Sequence, residues 1–212
     1  MNSIISAMHQ SISTYDLESA FQQALSNGTF HNYSQKKFGR YSEFATWLTE
    51  DMLPILSTEQ SLDLYKCSGG RKTLDFKANS IEDVRDTLDF LLYDTIKLEG
   101  RFDECVSDVG AYKLNGTGKE FVSYLLHLRD PSLFGIWNQS SERALKLLGW
   151  DTPNLRKGPW GIRYIDMLDL LHRIQSRFQL PDLSAVDQFN YWLTRFSPMA
   201  TTTKSNTSRT GA

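Results

Sequence analysis

The residues best suited to chemistry lie in a run that begins at Lys113 and reads KLNGTGKEF. Gly116 and Gly118 permit a tight turn with positive φ and a close approach of the backbone to a ligand. Because an apolar, helix-like pattern follows, we expect the amides of residues 116–119 to face outward at a helix N-terminus, where the helix dipole attracts anions. With Lys113 and Lys119 on either side, the run predicts a phosphate-binding turn. The same pattern is also typical of a plain connection between two helices.

A second candidate site is the dipeptide Trp137-Asn138, which lies twenty residues beyond the glycine turn. An Asn side chain accepts hydrogen bonds from backbone amides, so Asn138 is predicted either to cap a helix or to contact a ligand as one wall of a pocket. Ser140 and Ser141 are the other candidates for that helix cap. Trp137 is either a core residue or a ring on which a base stacks.

Two segments together resemble the helix-hairpin-helix base-excision DNA glycosylases. LNGTG followed by an apolar helix is similar to the motif that names the family, and FGIWNQSSERALKLLG is similar to the segment that carries the family's catalytic Asp. The resemblance covers about residues 99–150 and implies a DNA-facing hairpin. The family's catalytic Asp falls on Asn138 and its nucleophilic lysine on Glu120. An Asn cannot supply the carboxylate that stabilises positive charge on the sugar, so the resemblance argues against base excision. Residues 114–149 also resemble helical accessory regions of bacterial restriction and anti-phage proteins.

A basic and aromatic loop follows the second segment, from Trp150 to Tyr164. Arg156 and Lys157 lie between Trp150 and Trp160, a pattern that suits contact with a nucleic acid but equally an exposed loop with both tryptophans turned inward. The predicted DNA-contacting residues are therefore Lys113, Asn115, Gly116, Thr117, Gly118, Lys119, Arg156 and Lys157. The dipeptides Lys36-Lys37 and Arg71-Lys72 are predicted to be solvated surface.

Composition excludes several classes of protein. The chain has 212 residues and a net charge of −2, and no apolar run is long enough to span a membrane. Its two cysteines and four histidines lack metal-ligand spacing, so we expect no metal, no cofactor and two ordinary buried or half-buried thiols. Residues 1–112 carry 10 basic against 17 acidic residues, whereas 113–196 carry 11 against 8. The excess of basic residues in 113–196 predicts that this half faces a polyanion. The predicted location of the protein is the cytoplasm.

The elements that must position these residues are helical. Apolar residues recur at helical spacing from Leu17 to Leu25 and from Ile81 to Leu92, with Ser80 as a cap, and a long helix is predicted over 160–178. Alternating apolar residues in 62–77 predict a small β-hairpin. The predicted fold is an all-α, multi-helix orthogonal bundle that contains the helix-hairpin-helix.

Three regions are predicted: an N-terminal helical cap (1–79), a helix-hairpin-helix-like domain (80–196) and a disordered tail (197–212). The expected function is non-catalytic, largely sequence-independent binding of duplex DNA, with hairpin amides and lysines on phosphates. A nuclease or ATPase partner would supply the chemistry. The alternative is a helical protein–protein adaptor without nucleic-acid contacts, in which the hairpin is only a turn.

Overall fold

The computed structural model describes residues 14–150, 152, 155 and 157–197. Within these residues the chain forms helices that pack on one another and contains no β-strand, which confirms the all-α bundle. A short 3-10 turn, Leu53–Ile55, precedes the fourth helix. The helices are α1 (Thr14–Ser26), α2 (His31–Phe38), α3 (Tyr41–Trp47), α4 (Thr58–Ser68), α5 (Thr73–Lys77), α6 (Ile81–Tyr93), α7 (Leu98–Val106), α8 (Lys119–Arg129), α9 (Gln139–Leu147), α10 (Trp160–Arg177) and α11 (Leu183–Arg195).

The β-hairpin predicted over 62–77 is wrong, because this segment forms most of α4, a glycine turn and α5. Ser57 and Gln60 form a capping box in which each side chain accepts from the other residue's backbone N–H. Gly69 ends α4 in the left-handed conformation, with φ of 107°. These two caps and a helical burial pattern outweigh the short apolar alternation. The buried residues of α4 are Ser61, Leu64, Tyr65 and Ser68.

Helix α2 was not predicted from the sequence, and it changes the environment of the Lys36-Lys37 pair. Its sequence, HNYSQKKF, is polar, and no side chain caps its first turn. Lys36 is exposed, as predicted, but Lys37 is buried with 5% of its surface accessible, so the prediction that it is solvated is wrong. The reason is that Lys37 turns toward carboxylates on α8 and α11.

Helices α7 and α8 flank the glycine turn at the predicted positions and contact each other. Residues 107–118 connect them, and Gly118 is the N-cap of α8. The identity of this unit as a helix-hairpin-helix motif stays a prediction. Helix α9 follows, and its cap is Asn138 rather than Ser140 or Ser141: the Asn138 side chain accepts from the backbone N–H of Ser141 at 2.9 Å.

One hydrophobic core runs through the described residues, from Leu17 on α1 to Leu193 on α11. Helix α7 packs on α10 and α9 on α11, while α4 joins the core through α6 and α8. The core is continuous across residues 79 and 80, and the division into two domains stays a prediction. Trp137 is fully buried within it, which confirms its core assignment.

Among the described residues, no helix is long and apolar enough to cross a membrane. Cys67 is half-buried and Cys105 buried, and both are free thiols, as predicted. The predicted disordered tail lies outside the described residues except for Ser197, which is buried. Arg156 also lies outside them.

Candidate functional site

The glycine turn is held by close backbone packing against the segment that joins α4 to α5. Gly116 adopts φ of 77°, and a Cβ there would lie 2.9 Å from both the carbonyl oxygen of Lys72 and the backbone nitrogen of Phe76. The Thr117 hydroxyl donates to the carbonyl of the buried Leu114 at 2.8 Å. Position 116 therefore requires glycine on both conformational and steric grounds.

The Tyr65 side chain links the glycine turn to the turn between α4 and α5. Its hydroxyl donates to the Gly116 carbonyl at 2.9 Å and accepts from the Lys72 backbone N–H at 2.9 Å. The ring stacks on Phe76 with centroids 4.2 Å apart. A Cβ at Gly70 would lie 2.4 Å from this ring, so glycine at position 70 lets the second turn close over Tyr65.

The lysines beside the glycine turn do not face a free ligand site. The Lys113 ammonium donates to the Thr117 carbonyl at 2.7 Å, and burial lowers its pKa. Lys119 pairs with Glu142 and lies over the Trp137 ring, 4.5 Å from its centroid. Both charges stabilise the fold around the turn instead of extending from it.

A cleft of about 620 Å³ opens on the other side of this turn and includes much of the predicted site. Its walls come from five places in the chain: α2, the end of α4 with the turn after it, residues 116–118 with the first turn of α8, the start of α9, and α11. Gly116, Thr117, Gly118 and Asn138 line it, whereas Lys113, Asn115, Lys119, Lys157 and Trp137 do not.

Four exposed cations stand around this cleft, and we call them the basic rim: Lys36 on α2, Arg71 and Lys72 on the turn after α4, and Arg195 on α11. Within the described part of the chain, none of the four forms an ion pair. Arg195 lies over the Tyr191 ring, 4.9 Å from its centroid. Arg71 acts electrostatically on Glu120 of the same cleft, but the four cations outnumber this one carboxylate, so the rim presents positive charge.

Beneath the rim lies a polar group that we call the Lys37 cluster: Lys37, Tyr33, Glu120, Asn138 and Asp187. The Lys37 ammonium lies 3.7 Å from Glu120 Oε1, 3.6 Å from Asp187 Oδ1 and 3.3 Å from the Tyr33 hydroxyl. Tyr33 donates to Asp187 Oδ2 at 2.5 Å, and Asn138 Nδ2 donates to Asp187 Oδ1 at 2.6 Å. Asp187 is 2% exposed and has a donor at each oxygen, as a buried charge requires.

Glu120 is the accessible carboxylate of the Lys37 cluster, with 40% of its side chain exposed to the cleft. Partial burial raises the pKa of Glu120 above its usual range, and Asp187 adds to the rise, while Lys37 opposes it. A carboxyl group with a raised pKa can either accept or donate a hydrogen bond near neutral pH. Glu120 is thus the residue best placed to contact a bound molecule by its functional group.

Both polar groups of the Asn138 side chain have hydrogen-bond partners. Its Oδ1 caps α9 and its Nδ2 binds Asp187, and 4% of the residue is exposed. The capping alternative is therefore confirmed. The Trp137 indole N–H donates to Glu142 at 2.9 Å, so this side chain is tied to α9 and the core.

The described residues of the loop after α9 do not line the cleft. Lys157 is exposed, and Trp150 and Trp160 are half-buried against the core. Arg163 stacks over Trp160 at 3.8 Å. Sequence reasoning missed the Lys37 cluster and the basic rim, because these residues come from segments up to about 160 positions apart along the chain.

No protein-family model, curated protein or solved structure matches this chain. The resemblance to the glycosylases therefore rests on the quoted residues alone. Among the described residues, no cluster of His, Cys, Asp or Glu could hold a metal ion.

Proposed function

We propose that the protein binds DNA without catalysis, through phosphate contacts in the cleft. The observation that carries the proposal is the basic rim: four exposed cations from three segments line one concave site, and among the described residues none of them forms an ion pair. Phosphates supply most of the free energy of non-specific DNA binding, so unpaired cations around a cleft favour such a ligand. We therefore assign the phosphate contacts to the basic rim, and no longer to Lys113 and Lys119 as predicted from the sequence.

The glycine turn supports the same proposal. No side chain caps α8, so its first amides have no side-chain acceptor, and a Cβ at Gly118 would have no atom within 4 Å. Such amides, together with the positive end of the helix dipole, favour an anion. The backbone of the turn can therefore hold a phosphate that the rim attracts.

The Lys37 cluster explains why base excision is not part of the proposal. Both polar atoms of the Asn138 side chain are occupied, and Lys37 is buried between two carboxylates. A lysine held between two carboxylates is poorly placed to act as a nucleophile. The chemistry would come from a partner enzyme, such as a nuclease or an ATPase.

The test is fluorescence anisotropy with a labelled DNA duplex over a series of salt concentrations. Replacing Arg71 and Lys72 together by alanine should weaken binding roughly tenfold and reduce the slope of log K against log[salt] by about two. Lys97→Ala, an exposed lysine at the start of α7 outside the cleft, is the matched control and should change affinity less than twofold. Unchanged affinity in a folded Arg71/Lys72 variant would refute the phosphate site and favour the adaptor hypothesis.

A further inference from the structure

The cleft places two different chemistries within one small volume. Its rim carries Lys36, Arg71, Lys72 and Arg195, whereas its inner wall presents the Glu120 carboxylate. A volume of about 620 Å³ lies within the range of sites that enclose a small ligand. A molecule that fills the cleft should therefore combine an anionic group with hydrogen-bond donors.

The surroundings of Glu120 explain why the cleft should prefer a ligand with hydrogen-bond donors. Asp187 is buried and saturated by Tyr33 and Asn138, so it offers no oxygen to a ligand. The Glu120 carboxylate pairs with Lys37 at 3.7 Å, and 40% of the Glu120 side chain stays exposed. An accessible carboxylate of this kind accepts from N–H groups, and most strongly from two parallel N–H donors.

The positions of the rim cations indicate where the phosphate of the ligand should bind. The rim residues line a single cleft and come from α2, the turn after α4 and α11. A double helix pairs the Watson–Crick edge of each base with the opposite strand, so it cannot offer a phosphate and that edge together to one concave site. A free or unpaired nucleotide offers both.

We propose that the cleft binds a single nucleoside phosphate, with the phosphate at the basic rim and an N–H edge of the base on Glu120. The inference rests on the proposed function, since it takes the rim to be a phosphate site. Guanine is the base that matches best, because its N1–H and N2–H₂ groups are parallel donors to the two carboxylate oxygens. The nucleotide comes either from solution or from the unpaired end of a strand.

Isothermal titration calorimetry with guanosine monophosphate and with ribose 5-phosphate, which lacks the base, separates the two ends of the site. Guanosine monophosphate should bind at least roughly tenfold more tightly, as expected for hydrogen bonds to a charged group. Glu120→Gln should remove most of this advantage and leave the affinity for ribose 5-phosphate within about twofold. Glu59→Gln, an exposed glutamate on α4 outside the cleft, is the matched control and should change neither affinity.

Alkylation of Cys67 gives a second readout that does not depend on a variant folding. Cys67 lines the cleft, whereas Cys105 is 1% exposed and serves as the internal reference. Guanosine monophosphate should protect Cys67 of the wild-type protein from iodoacetamide at the concentrations at which it binds. An oligonucleotide with an unpaired, 5′-phosphorylated guanosine end protects at lower concentration if the source is a strand.

The outcomes distinguish this inference from the proposed function. Equal affinities for guanosine monophosphate and ribose 5-phosphate, or binding that leaves Cys67 unprotected, would overturn the nucleotide site even while duplex DNA still binds through Arg71 and Lys72. Loss of both affinities in Glu120→Gln with an unchanged melting temperature would also overturn it, because Glu120 would then act at the phosphate end. Failure of duplex DNA to bind, with nucleotide binding intact, would refute only the DNA proposal.

Discussion

Replacing Lys37 by methionine should destabilise the fold strongly, because it removes the cation from the Lys37 cluster. Lys37 is 5% exposed and faces two carboxylates at 3.6 and 3.7 Å. Removing one partner of a buried ion pair costs about 3–5 kcal/mol, since the other charge stays buried without compensation. Asp187 keeps its bonds from Tyr33 and Asn138, and Glu120 keeps contact with solvent, which places the loss near 3 kcal/mol.

Urea unfolding followed by circular dichroism measures this loss. A change of about 3 kcal/mol lowers the folding equilibrium constant roughly a hundredfold and the melting temperature by about 6–12 °C for a chain of this size. The matched control is Lys36→Met, one residue away on α2 but exposed, which should change the free energy of unfolding by less than about 0.5 kcal/mol.

A double-mutant cycle identifies the cause. Asp187→Asn removes the buried charge, so the Lys37→Met/Asp187→Asn protein should be more stable than the sum of the two single changes predicts, by about 1–3 kcal/mol. A Lys37→Met protein as stable as Lys36→Met would refute the buried ion pair. Strict additivity in the cycle would refute its coupling to Asp187.

Two further predictions concern groups outside the cleft. Lys119→Glu places a carboxylate opposite Glu142 and should lower the free energy of unfolding in urea by about 1–2 kcal/mol. The affinity for DNA should change less than twofold. A larger effect on DNA affinity than on stability would show that Lys119 contacts DNA. Burial lowers the pKa of His127, whose ring contacts the Phe134 carbonyl and the Ser184 hydroxyl. The unfolded chain therefore binds more protons, and the free energy of unfolding should fall as pH drops through about 6.5. The corresponding fall should be smaller in His127→Gln, and equal falls in the two proteins would show that His127 is not the cause.

Local sequence signals were sufficient for much of the fold. The cap at Ser80 is present, with its hydroxyl accepting from the Asp83 N–H at 3.0 Å, and Gly28 ends the α1 region with φ of 67°. Apolar spacing predicted α10 almost to the residue. These features depend on neighbours within one or two helical turns, so the sequence contains the information directly.

The candidate site could be predicted only in part, because it depends on distant contacts. The glycine turn and Asn138 were identified, but Lys37 and Asp187 are separated by most of the chain and meet only after α2 packs near α11. Nothing local to Lys37 distinguishes it from the exposed Lys36. The apolar alternation in 62–77 was misleading because the N-cap Ser57 lies outside this segment, and Gly69 within it suits the end of a helix as well as a hairpin turn.

The double hydrogen bond of Tyr65 has a consequence for the kinetics of binding. Since one hydroxyl joins Gly116 to Lys72, the two glycine turns that shape the cleft are ordered before any ligand arrives. A preformed site loses little conformational entropy on binding, and it needs no slow rearrangement before the complex forms. Association should therefore be limited by diffusion and charge attraction, whereas Tyr65→Phe, which keeps the ring and cuts both bonds, would introduce a salt-independent slow step.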